Sequence, residues 1–365
     1  MKKGISIYPG LDNTREENLA LVRSAARLGI TRIFTSLQIP ETSRHGFAAR
    51  LQELLELAGS LNMDVISDVS PDSLAILGID TFSLPELHRL GLRTLRLDDG
   101  FTPEQIAGLS RNPYDMSLQL NASVLNEGTL LELQRHHCRP DRLEALHNFF
   151  PRENTGLSEA FALQKTQLLQ SYGIKTGAFV PSFNRPRSPL QAGLPTLELH
   201  RQSGFSFAIR HLAAMGMDSI FIADSLPDEQ ELAQLAALDS TSVTLAPVWC
   251  PEIIPLEQEL CRHTFTSRPD EARDVLRTCE SRRIARQLLK KYQLPDIPQL
   301  NADMPRPGGT ITLDNGLYQR YQGELQITRT DLPPDQRVNV LGHLPELEQR
   351  LVKYITPGKK FKLCL

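Results

Sequence analysis

Thr94-Leu95-Arg96-Leu97-Asp98 is a short run in which apolar and polar residues alternate strictly. In an extended strand, Leu95 and Leu97 share one face, and Arg96 and Asp98 share the other. Strands of a sheet covered on both sides are ordinarily apolar on both faces. Here the leucines suit a covering layer of helices, and the arginine and aspartate turn toward an interior that accommodates charge. The run 117–123 repeats the pattern, with Leu118 and Leu120 on one face and Gln119, Asn121 and Ser123 on the other. Polar inner faces near the ends of two successive strands point to a barrel with a pocket at one mouth.

The neighbouring sequence fits that reading. Upstream lie apolar strands at 5–8, 32–37 and 64–68, separated by helical patterns at 12–28 and 47–58. Thr14 and Glu17 stand in capping-box positions, and Gly29 ends the first helix. Downstream come strands at 143–148, 175–180 and 219–224, with helices at 157–172, 204–215 and 228–238. Eight strands alternating with helices predict parallel βαβ units and a (β/α)8 TIM barrel over residues 1–239; an open, doubly wound sheet is the alternative. Beyond it the texture changes. A Thr-, Val- and Pro-rich stretch precedes a predicted helix at 269–286, with Ser267 and Asp270 spaced as a capping box. Strand-like runs follow at 309–313, 318–326, 337–341 and 360–365. Residues 240–365 therefore read as a second, small and mostly β domain.

Composition narrows the function classes. A net charge of −3 gives no electrostatic case for nucleic acid or an anionic membrane surface. No apolar segment has signal or spanning length, so a cytoplasmic location is expected. The five cysteines are scattered and lack a CxxC, which suits free thiols rather than disulfides or zinc.

In a TIM barrel the chemistry sits at the carboxyl ends of the strands. Those ends hold Tyr8; Ser36 and Glu41; Ser67 and Asp68; Arg96, Asp98 and Asp99; Asn121 and Ser123; His147, Asn148 and Arg152; Ser182, Asn184, Arg185 and Arg187; and Asp224. There is no histidine cluster at metal-ligand spacing, no GxGxxG after strand one, no P-loop and no GxSxG. Carboxylates beside amides and arginines suit acid/base work on a hydroxylated, anionic substrate, and two carboxyl groups are the usual requirement for glycoside hydrolysis. Each residue also has a structural reading. Asp98 with Arg96 forms a buried ion pair in that reading. Asp68 and Asp224 cap the turn or helix that follows, His147 is a satisfied core histidine, and Arg185-Pro186-Arg187 is a solvated loop.

Five motifs in one order carry a family resemblance: Phe34-Thr35-Ser36-Leu37-Gln38-Ile39-Pro40-Glu41, Leu95-Arg96-Leu97-Asp98-Asp99-Gly100-Phe101, Leu120-Asn121-Ala122-Ser123, His147-Asn148-Phe149-Phe150-Pro151-Arg152 with Thr155-Gly156-Leu157-Ser158, and Gly193-Leu194-Pro195-Thr196-Leu197-Glu198. Together they resemble the bacterial 6-phospho-N-acetylmuramidase family over essentially the whole chain. The resemblance implies a TIM barrel followed by a cyclophilin-like β domain. It implies hydrolysis of the β-1,4 bond in MurNAc-6-phosphate–GlcNAc, a phosphorylated disaccharide from peptidoglycan turnover, with no metal or organic cofactor. From its place at the end of strand four, Asp98 is the expected proton donor, with Asp68 as the second carboxylate. Glu41, Arg96, Asn121, Ser123, Asn148, Arg152, Arg187, Glu198 and Asp224 bind substrate. Neither nucleic acid nor membrane is an expected partner; a homo-oligomer is compatible with the sequence. The competing readings are a phospho-sugar lyase or isomerase and a non-catalytic phospho-sugar-binding regulator. The common aldolase route needs a Schiff-base lysine, and Lys175 lies at the wrong end of strand seven.

Overall fold

The computed structural model describes residues 1–36, 46–69, 82–97 and 100–365. It divides into two compact units, Met1–Leu238 and Asp239–Leu365.

In the first unit strands and helices alternate: β1 (Lys2–Ser6), α1 (Arg15–Arg27), β2 (Arg32–Ser36), α2 (Phe47–Ser60), β3 (Asp64–Val69), α3 (Leu84–Arg89), β4 (Thr94–Leu97), α4 (Pro103–Ser110), β5 (Ser117–Asn121), α5 (Glu127–Arg135), β6 (Leu143–Leu146), α6 (Glu159–Ser171), β7 (Lys175–Val180), α7 (Phe205–Ala214), β8 (Ser219–Ile222) and α8 (Glu229–Ala237). The strands pair in parallel and in chain order, and β8 returns to β1 to close a TIM barrel. Local sequence explains the helix ends. The Thr14 Oγ1 accepts from the Glu17 amide at 3.2 Å, and Glu17 accepts from the Thr14 amide at 2.8 Å, so two otherwise orphaned donors are satisfied. Asp228 and Glu231 make the same box at the start of α8.

The barrel interior falls into two sectors. Tyr8, Phe34, Phe179 and Phe221 fill the side formed by β1, β2, β7 and β8. Phe34 and Phe179 meet edge-on at 5.1 Å, and Phe179 meets Phe221 at 5.7 Å; such contacts add about 0.5–1.5 kcal/mol each beyond area burial. Gly4 is required here, because a Cβ on it would lie 2.2 Å from the Phe221 ring.

The other sector carries a polar spine. Asp68, Arg96, Gln119 and Glu144 are successive register partners across β3, β4, β5 and β6. Arg96 Nε lies 3.2 Å from Asp68, Arg96 Nη1 donates to Gln119 at 3.4 Å, and Gln119 Nε2 donates to Glu144 at 2.7 Å. At the floor Arg32 binds Glu144 through both terminal nitrogens, at 3.0 and 2.6 Å, and donates from Nε to Asp64 at 3.0 Å. Burial opposes the charge on Arg32, but Glu144 and Asp64 outweigh it and raise its pKa. Each buried charge is thus paired, the condition under which such groups are tolerated.

The second unit contains β9 (Val243–Leu245), β10 (Val248–Trp249), α9 (Pro255–Cys261), β11 (Thr264–Thr266), β12 (Val275–Arg277), α10 (Ser281–Tyr292), β13 (Thr310–Asp314), β14 (Leu325–Thr328), β15 (Val338–His343), α11 (Glu346–Val352) and β16 (Lys360–Leu363). Five strands form a sheet in the order β10-β15-β13-β14-β12, and three form another in the order β11-β16-β9. The helix expected at 269–286 is not formed as such. Arg268 pairs with Asp270 at 2.7 Å, β12 pairs with β14, and helix begins only at Ser281. Ser267, expected as a cap, donates instead to the Thr356 carbonyl at 3.0 Å. Of the expected strand at 318–326, residues 316–321 form a 3-10 turn and the strand starts at Leu325.

Candidate active site

The mouth of the barrel is built from strand ends. Register places Asp68 beside Arg96, and their side chains pair at 3.2 Å. The remaining Arg96 donors go to the Leu146 carbonyl at 3.1 Å, to Gln119, and to Asn148 Oδ1, with the guanidinium 6.0 Å over the Phe34 ring. Arg96 is therefore spent on the protein. It pairs with the Asp68 carboxylate and fixes the Asn148 amide by donating to its oxygen.

At the ends of β5 and β6, Asn121 Oδ1 accepts from the Ser123 amide at 3.1 Å, and Ser123 Oγ accepts from the Asn148 amide at 3.1 Å. His147 is wholly buried, 3.1 Å from the Thr166 hydroxyl and 3.4 Å from Ser123 Oγ. Burial, aided by Arg96 and Lys165, lowers its pKa to about 4. It is neutral at pH 7, as the core-histidine reading holds.

The loop after β7 brings a further cation. Arg187 is 6% exposed, with its guanidinium 4.8 Å over Tyr8 and 5.3 Å over Phe149. Its Nε donates to the Ser188 carbonyl at 3.2 Å, while Nη1 is buried and has no hydrogen-bond partner. Among the described residues it makes no ion pair. Nearby arginines differ. Arg185 is taken by Glu17 at 3.0 Å and Asn13 at 2.5 Å. Arg201 is taken by Glu198 and by the carbonyls of Phe150, Arg152, Ala192 and Gly193. Arg152 is exposed and has no side-chain partner among the described residues.

Two carboxylates hold loops. Asp224 is wholly buried and accepts from the amides of Arg187 at 2.8 Å, Ser182 at 2.9 Å and Leu194 at 3.2 Å. Burial pushes its pKa up to about 6 against those bonds and the charge of Arg187. It does not cap the last helix, a role that Asp228 takes. Glu198 accepts from the amides of Asn154 at 2.9 Å and Gly156 at 2.7 Å, and Arg201 and these bonds lower its pKa to about 2.

The structure thus links Asp68, Arg96, Asn148, Ser123 and Asn121 directly, sets Arg187 over Tyr8 and Phe149, and has Asp224 and Glu198 hold loop amides. Asp98 and Glu41 lie outside the described residues. Sequence reading passed over Arg201 and Phe149. The Glu198/Arg201 spacing of three was the signal for the former; nothing local marks Phe149 as a partner for Arg187. The barrel unit has four lysines. Lys2, Lys3 and Lys175 lie on the amino-terminal side of their strands and Lys165 on α6, so none stands at a carboxyl strand end.

A closed parallel barrel with polar side chains converging at the carboxyl ends of its strands is the architecture of a TIM-barrel enzyme. The family model described as 6-phospho-N-acetylmuramidase, N-terminal, matches residues 3–237, and its C-terminal counterpart matches residues 243–364. The chain belongs to the 6-phospho-N-acetylmuramidase family, which makes it a glycosidase and implies a phosphorylated sugar as substrate. Among solved structures it is similar to an uncharacterized B. cereus protein, at 29% identity and a TM-score of 0.85 over 100% of this chain and 99% of that one. It is also similar to a conserved protein of unknown function from a locus in Enterococcus faecalis, at 33% identity and a TM-score of 0.70 over 100% and 96%. No functionally curated protein matches it. No described helix is long and apolar enough to cross a membrane.

Proposed function

We propose that the protein hydrolyses the β-1,4 bond of MurNAc-6-phosphate–GlcNAc, releasing MurNAc-6-phosphate and GlcNAc, as a cytoplasmic step of peptidoglycan recycling. The observation that carries this reading is Arg187: a buried guanidinium set over two rings, with an unpartnered N–H and, among the described residues, no ion-paired carboxylate. A buried donor left without a partner costs about 1–3 kcal/mol, which a bound anion recovers. The loop after strand seven is also where TIM barrels commonly hold phosphate. Arg187 therefore takes the phosphate and Arg152 the lactyl carboxylate, while Asn121, Ser123 and Asn148 serve the acetamido and hydroxyl groups. Asp98, next in sequence to Leu97 of β4, is the proton donor, and Asp68, 3.2 Å from Arg96, is its partner carboxylate.

The test is release of free GlcNAc from the disaccharide. Arg187→Ala should lose about 2–3 kcal/mol of phosphate recognition, read as a KM raised roughly 30- to 150-fold. Asp98→Asn should abolish release with folding intact. Turnover unimpaired in Asp98→Asn removes that residue from the acid role, and tight binding without release by the unaltered protein favours the regulator.

A further inference from the structure

Asp224 is wholly buried just beyond the end of β8. Its two oxygens gather three amides from one loop, at Ser182, Arg187 and Leu194. Those amides stand near the start, the middle and the end of the segment that carries Arg187. Gly193 permits the closure: its φ is +77°, and a Cβ there would lie 3.0 Å from Pro181 and 3.9 Å from Asp224 Oδ2. One of the three amides is Arg187's own.

The side chain of Arg187 is weakly directed. Two ring faces and a single carbonyl hold it, and ring faces tolerate sliding in a way that hydrogen bonds do not. Arg185 and Arg201, by contrast, are fixed by acidic partners on their own guanidinium groups. The placement of the Arg187 guanidinium accordingly depends on where its backbone is held.

We infer that Asp224 is a positioning residue for phosphate recognition, acting through Arg187 by clamping its backbone. This rests on the assignment of phosphate to Arg187. Asp224→Asn keeps the shape of the side chain, but one of its two acceptor oxygens becomes an NH2 that faces amide donors. The expected result is a KM for the disaccharide raised about tenfold, with kcat changed less than threefold and inhibition by inorganic phosphate weakened by the same factor. In an Arg187→Ala background, Asp224→Asn should change KM less than twofold, because the residue it positions is gone. Asp224→Glu keeps the charge but moves the oxygens by one methylene; it should show the same KM-selective effect if Asp224→Asn folds poorly. Equal KM effects in the wild-type and Arg187→Ala backgrounds would overturn the inference while leaving the phosphate assignment intact. An unchanged KM in Arg187→Ala alone would overturn the assignment, and the inference with it.

Discussion

Replacing Arg32 by methionine tests the physics of the barrel floor. Arg32 is 2% exposed and makes three hydrogen bonds to two carboxylates, two of them bidentate to Glu144. Removing one partner of a buried ion pair typically costs about 3–5 kcal/mol, because the other charge is left uncompensated. Here relief is available. Glu144 keeps Gln119 at 2.7 Å and Lys2 at 4.0 Å, and Asp64 keeps the Thr94 hydroxyl at 3.1 Å. Asp64 is also 26% exposed and can draw water. Methionine fills much of the arginine stem and keeps an apolar contact with Phe221. The expected loss is therefore at the lower end, about 3 kcal/mol, measured by urea unfolding followed by circular dichroism. The pair Arg32→Met/Glu144→Met removes both charges and should recover to within about 1 kcal/mol of the wild type. A single substitution costing under about 1 kcal/mol, or a double variant no better than the single, would refute the argument that pairing rather than packing holds the floor.

Two further outcomes follow from the geometry. Gly4→Ala drives a Cβ to 2.2 Å from the Phe221 ring, and overpacking of this kind should cost about 1–3 kcal/mol; an unchanged Tm would show that the ring gives way freely. Glu198 has its pKa lowered to about 2, chiefly by Arg201, so its contribution to stability is present above pH 4.5 and lost as pH falls toward 2. With a discount for its partial exposure, Glu198→Gln should be less stable by about 2 kcal/mol at pH 7, with the gap closing between pH 4.5 and 2; a gap independent of pH would contradict this.

The barrel was legible because its signals are local. The alternation in Thr94–Leu97 and Ser117–Asn121 correctly put Arg96 and Gln119 inside, and the Thr14 capping box was readable from spacing alone. The second unit was less so, because its strands are decided by partners distant in sequence. Val275-Leu276-Arg277 is three residues long and becomes a strand only by pairing with Gln326-Ile327-Thr328. The short helix Pro255–Cys261 was overlooked although Pro255 stands at its first turn and Glu257 accepts from the Ile254 amide at 3.1 Å. At the site, strand ends named Asp68, Arg96 and Arg187, and the first two pair in the structure at 3.2 Å. Which arginines are already taken was not legible, because Glu17, Asn13 and the loop carbonyls approach only once the chain has folded.

The polar spine has a consequence for how the sheet assembles. A slip of one residue between adjacent strands is forbidden by hydrophobicity alone, since it turns every apolar side chain to the wrong face. A slip of two residues is not, because each side chain keeps its face. Hydrophobic patterning therefore leaves the stagger of a closed barrel partly undetermined, and with it the shear and the diameter. The chain of Asp68, Arg96, Gln119 and Glu144 removes that freedom. Sliding β4 by two residues either way takes Arg96 from its register partner Asp68, and toward the carboxyl end it offers only Thr94. The charges inside this barrel act as a ruler, selecting one closure among several that the leucines and phenylalanines alone would accept.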